Sequence, residues 1–186
     1  MARALNLLST AVLTCSALLG VNTSAVAAGP APEEIPIDLL LAGSYTAAAR
    51  EAIAIWNRAV PTIKFVEQDT PATLRVKECK TAKGVRSHVY INGAGRGWVY
   101  LEVDDAKEFK PSRIVVHELG HILSLPDLGT VSACSKVMSG SWAGSECVND
   151  QPDASEITSV GNFFAANDVG DRVPWWEAKV AARKDS

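Results

Sequence analysis

The chain has 186 residues, of which 47% are hydrophobic and 21% charged, an ordinary composition for a globular protein. Its formal net charge of −3 and the lack of any Lys/Arg cluster argue against a nucleic-acid-binding surface. The length suits one domain with one core, and no stretch beyond the N-terminal one is apolar enough to span a bilayer.

Residues 1–27 read as a secretory signal peptide. Arg3 supplies the positive start, Ala4 to Val21 is largely apolar, and Ala25-Val26-Ala27 fits the small-x-small cleavage rule. Two readings compete with it. A membrane anchor meets the polar interruptions Asn6, Ser9, Thr10, Thr14 and Ser16 and finds no basic stop-transfer cluster. Lipidation at Cys15 would follow Thr14, bulkier than the small residue such sites want. Residues 28–36 are expected to be a short disordered or pro-segment, and residues 37–186 a single domain.

Ile37–Leu41 reads as a buried strand. Tyr45–Val60 reads as a helix with Ser44 as N-cap, an apolar face of Ala48, Ala52, Ile55, Trp56 and Ala59, and Pro61 as its stop. Strand-like runs follow at Thr62–Val66, Thr73–Lys77, Ser87–Asn92 and Trp98–Val103, rich in β-branched and aromatic residues. Gly93–Gly97 lacks the helix and Lys-Ser/Thr of a phosphate loop and reads as a turn between two strands. This order indicates an α/β fold with a mostly parallel sheet.

A second helix is expected from Pro111 to Ser124, with Ile114, Val115, Leu119 and Ile122 as its apolar stripe. After a Gly/Ser-rich loop from Leu125 to Pro152, Asp153 can cap a last helix from Ala154 to about Asn167. The tail residues Pro174-Trp175-Trp176 are expected to pack on the body of the domain.

Export places the cysteines in an oxidising compartment. Cys134 and Cys147 flank the Gly/Ser-rich loop and are the natural pair, a bridge that contributes about 2–4 kcal/mol. Cys79 is then left as a buried free thiol. Of the remaining residues considered, His88 is expected to be an exposed strand residue, Trp98 and Tyr100 core or sheet-face residues, and Asp104, Asp105 and Glu108 a solvated acidic loop.

The chemistry concentrates in H-E-L-G-H-I-L-S-L-P-D, His117 to Asp127. One helical turn separates His117 from His121, so both imidazoles can reach one metal. Glu118, one residue round the helix, can take a proton from water without being a ligand. Asp127 lies past the helix end, and a sharp bend would bring it in as third ligand. Three protein ligands leave the open position of a catalytic zinc site, with Glu118 as general base for the activated water.

This HExxH motif with a third ligand six residues on resembles the metzincin zinc endopeptidases. The L-P-D ligand followed by C-S-x-x-M-S-G resembles the snapalysin group of small bacterial neutral proteases. Ala54-Ile55-Trp56-Asn57, Gly95-Arg96-Gly97 and the Cys134–Cys147 spacing extend the likeness from about Ile37 to Asn167. The resemblance implies a twisted mixed sheet with one antiparallel edge strand above an active-site helix, plus a smaller C-terminal part with its helix. It implies that Met138 lies in a turn beneath the metal, and that peptides pair with the edge strand Ser87–Asn92. It also implies a preference for an aromatic residue just after the cut.

Three positions depart from that pattern. Ser124 stands where the group has Gly, and a left-handed backbone there costs a non-glycine residue about 1–2 kcal/mol. Gly129 stands where relatives carry a Tyr available to the oxyanion. Lys110 stands where they carry an Asp ligand for calcium, and Ser112 alone would not hold the ion, which leaves calcium doubtful.

The leading expectation is therefore a secreted, monomeric zinc endopeptidase with one zinc and with protein or peptide substrates, free of the membrane once the signal is removed. A catalytically weak or inactive secreted binding protein on the same fold is the alternative. A zinc hydrolase of a non-peptide amide is a third reading, because the motif fixes the metal chemistry better than the substrate.

Overall fold

The computed structural model describes residues 31–82, 84–129 and 133–165. The expected signal peptide, Cys15 and the tail with Trp175 and Trp176 lie outside the described residues. In chain order the elements are β1 (Glu33–Leu41), a 3-10 turn at Gly43–Tyr45, α1 (Thr46–Ala59), β2 (Ile63–Gln68) and β3 (Leu74–Cys79). They continue with β4 (His88–Gly93), β5 (Arg96–Glu102), a 3-10 turn at Asp105–Lys107, α2 (Pro111–Ile122), a 3-10 run at Val137–Ala143 and α3 (Ala154–Ala165).

The five strands form one sheet in the order β2-β1-β3-β5-β4. All neighbours are parallel except β4, which runs antiparallel to β5 at the edge. The fold is thus the mixed α/β arrangement expected, with its one antiparallel edge strand.

The first strand starts earlier than its hydrophobic run indicates. Residues 33–36 belong to the sheet, paired with Ile63–Val66 of β2, and are not disordered. Ile35 is buried in the core and anchors this extension. Pro36 is tolerated because Glu33 donates its N–H to Thr62 on the β2 side. By the two-residue alternation, the N–H that Pro36 lacks would face β3, where pairing begins only at Ile37.

Along β1, Ile35, Ile37 and Leu39 are buried in the core, while Leu40 is exposed. Asp38, between them, is fully buried and accepts from Arg75 Nε at 3.0 Å and Ala72 N at 2.8 Å. Arg75 in turn lies 4.4 Å over the Trp98 ring, which stacks with Tyr100, itself stacked with His88. Trp98, Tyr100 and the exposed His88 therefore form a sheet-face row, as their strand positions indicated.

α1 buries Ala49, Ala52, Ile53, Ile55 and Trp56, with Ala48 and Ala59 partly buried at the margin. Ser44 does not cap it: its N–H and hydroxyl both go to the Glu78 carboxylate, and a 3-10 turn leads into the helix instead. Trp56, fully buried, donates its indole N–H to the Val116 carbonyl at 3.0 Å and ties α1 to α2. Cys134 and Cys147 form the expected disulfide, with Cα atoms 5.5 Å apart. Cys79 is free but half-buried rather than buried, its thiol directed to the Leu101 carbonyl.

Candidate active site

α2 begins with Pro111 in its first turn, where the missing N–H costs nothing, and buries Val115, Val116, Leu119 and Ile122 completely. Its remaining face carries His117, Glu118 and His121. The helix ends two residues earlier than the apolar pattern suggests, at Ile122, because the chain then turns back. Ser124 N–H bonds the His121 carbonyl and Leu125 N–H the Gly120 carbonyl, both at 2.9 Å. This paired closure requires a left-handed residue between them, and Ser124 supplies it at φ 75°.

The reversal brings Asp127 back over the helix. One oxygen of its carboxylate lies 3.3 Å from His117 Nε2 and 3.6 Å from His121 Nε2. The two Nε2 atoms are themselves 3.2 Å apart. Each imidazole has its Nδ1 on a backbone carbonyl, His117 on Val137 at 3.0 Å and His121 on Leu125 at 2.8 Å. A carbonyl can only accept, so each Nδ1 carries the hydrogen and each Nε2 presents a lone pair. Two lone pairs and a carboxylate oxygen converging within 4.8 Å repel one another unless a cation lies among them. The donor set fits a metal ion of the imidazole- and carboxylate-binding kind.

The electrostatics follow from burial. The Glu118 side chain is buried, and one of its oxygens has no hydrogen-bond partner among the described residues. Burial lifts its carboxyl to about 7, with the charges of Asp127 and Asp105 adding to the shift and His117 opposing it. Burial likewise pushes His121 down to about 4, helped by neighbouring His117. Burial also works against a charge on His117, but Asp127, Glu118 and the Val137 carbonyl together raise it. Asp127 is held low, first by the neighbouring His117.

Met138 is buried directly against α2. A β-carbon on Gly120, the residue just before the second histidine, would lie 2.5 Å from the Met138 sulfur, so a larger residue here would displace the thioether. Gly140 packs on the other side of the site. Its φ of 54° and the 3.1 Å from its β-position to the His117 ring leave no room for a side chain. Glu156 on α3 fixes this turn by accepting the Met138 and Val137 N–H groups at 2.9 and 3.3 Å. It also exchanges bonds with Asp153 as a capping box, Asp153 N to Glu156 at 2.8 Å and Glu156 N to Asp153 at 2.9 Å.

A cleft of about 300 Å³ opens beside His117, Glu118 and Asp127, with Phe109, Ile114 and Trp142 among its apolar lining. Gly129 lines the same cleft with open space at its β-position. Lys110 reaches the buried Asp150 at 2.5 Å, and Ser112 donates to the same oxygen at 2.6 Å. An ammonium therefore fills the place where a calcium ligand was in question, and these residues do not fit a calcium ion.

Two residues that organise the site were not singled out as such in the sequence. Glu156 stands three residues after Asp153, a capping-box spacing that could have revealed its cap but not its hold on Met138. Asp105 was expected in a solvated loop and is buried at the cleft wall instead. Its burial depends on the segment before β4 folding across it, and no local pattern encodes that.

The model of the Streptomyces extracellular neutral proteinase (M7) family matches residues 39–167, well over half of the chain. The chain belongs to that family. Among M7 relatives, the extracellular small neutral protease of Streptomyces coelicolor is 29% identical over 131 residues, covering 70% of this chain and 59% of that protein. The protein of the same name from Streptomyces lividans is 29% identical over 124 residues, covering 67% and 53%. That of Streptomyces caespitosus is 31% identical over 124 residues, covering 67% and 91%. The chain thus spans little more than half of the first two M7 relatives and most of the third.

Proposed function

We propose that the chain is a secreted zinc-dependent endopeptidase in which His117, His121 and Asp127 hold one zinc ion and Glu118 is the general base. The observation that carries this reading is the convergence of two Nε2 lone pairs and a carboxylate oxygen beside a buried carboxylate. Zinc, when bound, supplies a Lewis acid that polarises the scissile carbonyl and acidifies the attacking water. The chain's own groups then handle the protons. The buried Glu118 carboxylate, beside the metal ligands, accepts a proton from that water. The same Glu118 can deliver it to the departing amine. The backbone carbonyls of Val137 and Leu125 hold the two imidazoles in the tautomer that turns Nε2 toward the site, and Met138 supports the helix from below.

Substrates are proteins or peptides, in keeping with the names of the M7 relatives. We assign the exposed edge strand β4 to backbone pairing with an extended peptide. The apolar lining by Phe109, Ile114 and Trp142 suits an aromatic side chain just after the cut. Secretion accords with relatives named as extracellular and with residues 1–27, and among the described residues no helix is long and apolar enough to cross a membrane.

A second reading is a secreted peptide-binding protein on the same fold with little or no cutting activity. Gly129 favours it, because the cleft wall there offers no side-chain donor to an oxyanion.

Glu118→Ala separates the two readings. The protease reading expects peptide cleavage to fall by at least about 100-fold while zinc content is unchanged. Cleavage undiminished in that variant would remove Glu118 from the mechanism.

A further inference from the structure

Asp105 is a buried carboxylate whose hydrogen bonds the proposed chemistry does not use. Both of its oxygens are committed to the two residues that precede β4. Oδ1 accepts from Arg86 Nη1 at 3.0 Å, and Oδ2 accepts from the Ser87 N–H and the Ser87 hydroxyl, each at 2.8 Å. The Ser87 hydroxyl accepts in turn from Glu102 N at 2.9 Å, which binds the segment to the end of β5. A buried charge with three donors is a rigid anchor, since losing any donor leaves desolvated charge uncompensated.

What it anchors is the cleft wall. Arg86, Ser87 and Asp105 line the same cleft as His117 and Glu118. Arg86 is held there from three directions: by Asp105, by Glu108 at 2.8 Å, and by stacking over Phe109 at 4.8 Å. All of its ion pairing runs through Nη1. Nε and Nη2 have no hydrogen-bond partner among the described residues, and the side chain is about half exposed. Two carboxylates already neutralise the guanidinium, so its free N–H groups suit a neutral acceptor, such as a main-chain carbonyl, better than a second acid.

We infer that Arg86 is a specificity-determining residue that donates to a main-chain carbonyl of the bound peptide, and that Asp105 is its positioning residue. This rests on the reading of the cleft as a peptide site. Ser87 continues directly into β4, so the same anchor sets where a peptide paired to that edge would begin. The consequence is a penalty on binding, not on chemistry. A peptide that reaches Arg86 gains from the contact, and one too short to reach it does not.

The test uses the zinc-loaded protein and quenched casein-derived peptides of increasing length, with Arg86→Gln, Asp105→Asn and the double variant. Each single variant is expected to raise KM for the long peptides by about ten-fold, and in Arg86→Gln kcat should stay within about two-fold of the unaltered chain. The double variant should be no worse than either single one, because Asp105 acts through Arg86. Short peptides should show no difference in KM. Circular dichroism and zinc content confirm folding, and should Asp105→Asn not fold, the exposed Arg86→Gln decides alone. In parallel, Kd for a labelled long peptide is measured by anisotropy in the Glu118→Gln background. If the unaltered chain cuts nothing but that variant binds the peptide, the proteolytic reading fails and the inference is judged on Kd. Multiplying effects in the double variant, a fall in kcat at constant KM, equal losses on short peptides, or no measurable peptide binding would overturn it.

Discussion

Ser124 is the only non-glycine residue with positive φ among the described residues, and it closes the helix that carries both histidines. Its hydroxyl is buried without a hydrogen-bond partner, so the position bears both backbone strain and an unpaired polar group. Ser124→Gly should stabilise the folded chain by about 1 kcal/mol, read as a rise in Tm of about 2–4 °C, with cleavage unaltered. A lower Tm would mean that the turn at Ser124 is not strained. At this scale the site was partly legible. His117, Glu118 and His121 could be read from helical spacing alone, and the demand for a left-handed residue at Ser124 from the likeness to a known family. Asp105 could not, because a carboxylate beside Asp104 and Glu108 looks solvated until Arg86 and Ser87 close over it.

Elements were legible wherever one apolar face recurred at a fixed period. The stripe Ile114, Val115, Leu119 and Ile122 marked α2, although Ile114 is only half-buried, and β-branched or aromatic runs marked β2 to β5 within a residue or two. Boundaries failed where a tertiary partner decided them. β1 extends back through Glu33-Glu34-Ile35-Pro36 because β2 is there to pair with it, although that stretch has the composition of a loop. α1 loses its serine cap because Glu78, 34 residues away, competes for Ser44. α3 did announce itself: Asp153 and Glu156 form the reciprocal cap, and the same Glu156 carries the helix onto Met138. The antiparallel placement of β4 came from family likeness, since Gly93–Gly97 marks a turn without fixing strand order.

Across the whole molecule, stability should depend on pH through carboxylates held low in the fold. Glu102 is pulled down to about 2, first by its bonds to Thr81, and Asp104 to about 2 by Lys107 and Lys80. Glu67 is lowered by Arg50. Asp150 is lowered too: burial works against its charge, but Lys110, Ser112 and Gln151 outweigh it. In each case the folded value lies below the ordinary 3.8 or 4.5, so the folded state binds the proton less readily than the unfolded one. The stability these groups add is complete above about pH 4.5 and is lost as pH falls toward 2. Thermal melting from pH 4.5 to pH 2.5 should show Tm falling steadily. A Tm that rises on acidification would contradict these pairings.

The central claim is that one metal at His117, His121 and Asp127 drives peptide hydrolysis. Its most direct test is cleavage of a quenched peptide library by the purified protein, with and without chelator and with zinc restored, alongside metal content per chain. The account predicts one zinc per chain, cutting abolished by chelator and recovered with zinc, and cuts clustered before aromatic residues. Cutting that persists after the metal is removed would contradict it, and zinc bound at full stoichiometry without any cutting would leave the peptide-binding reading in its place.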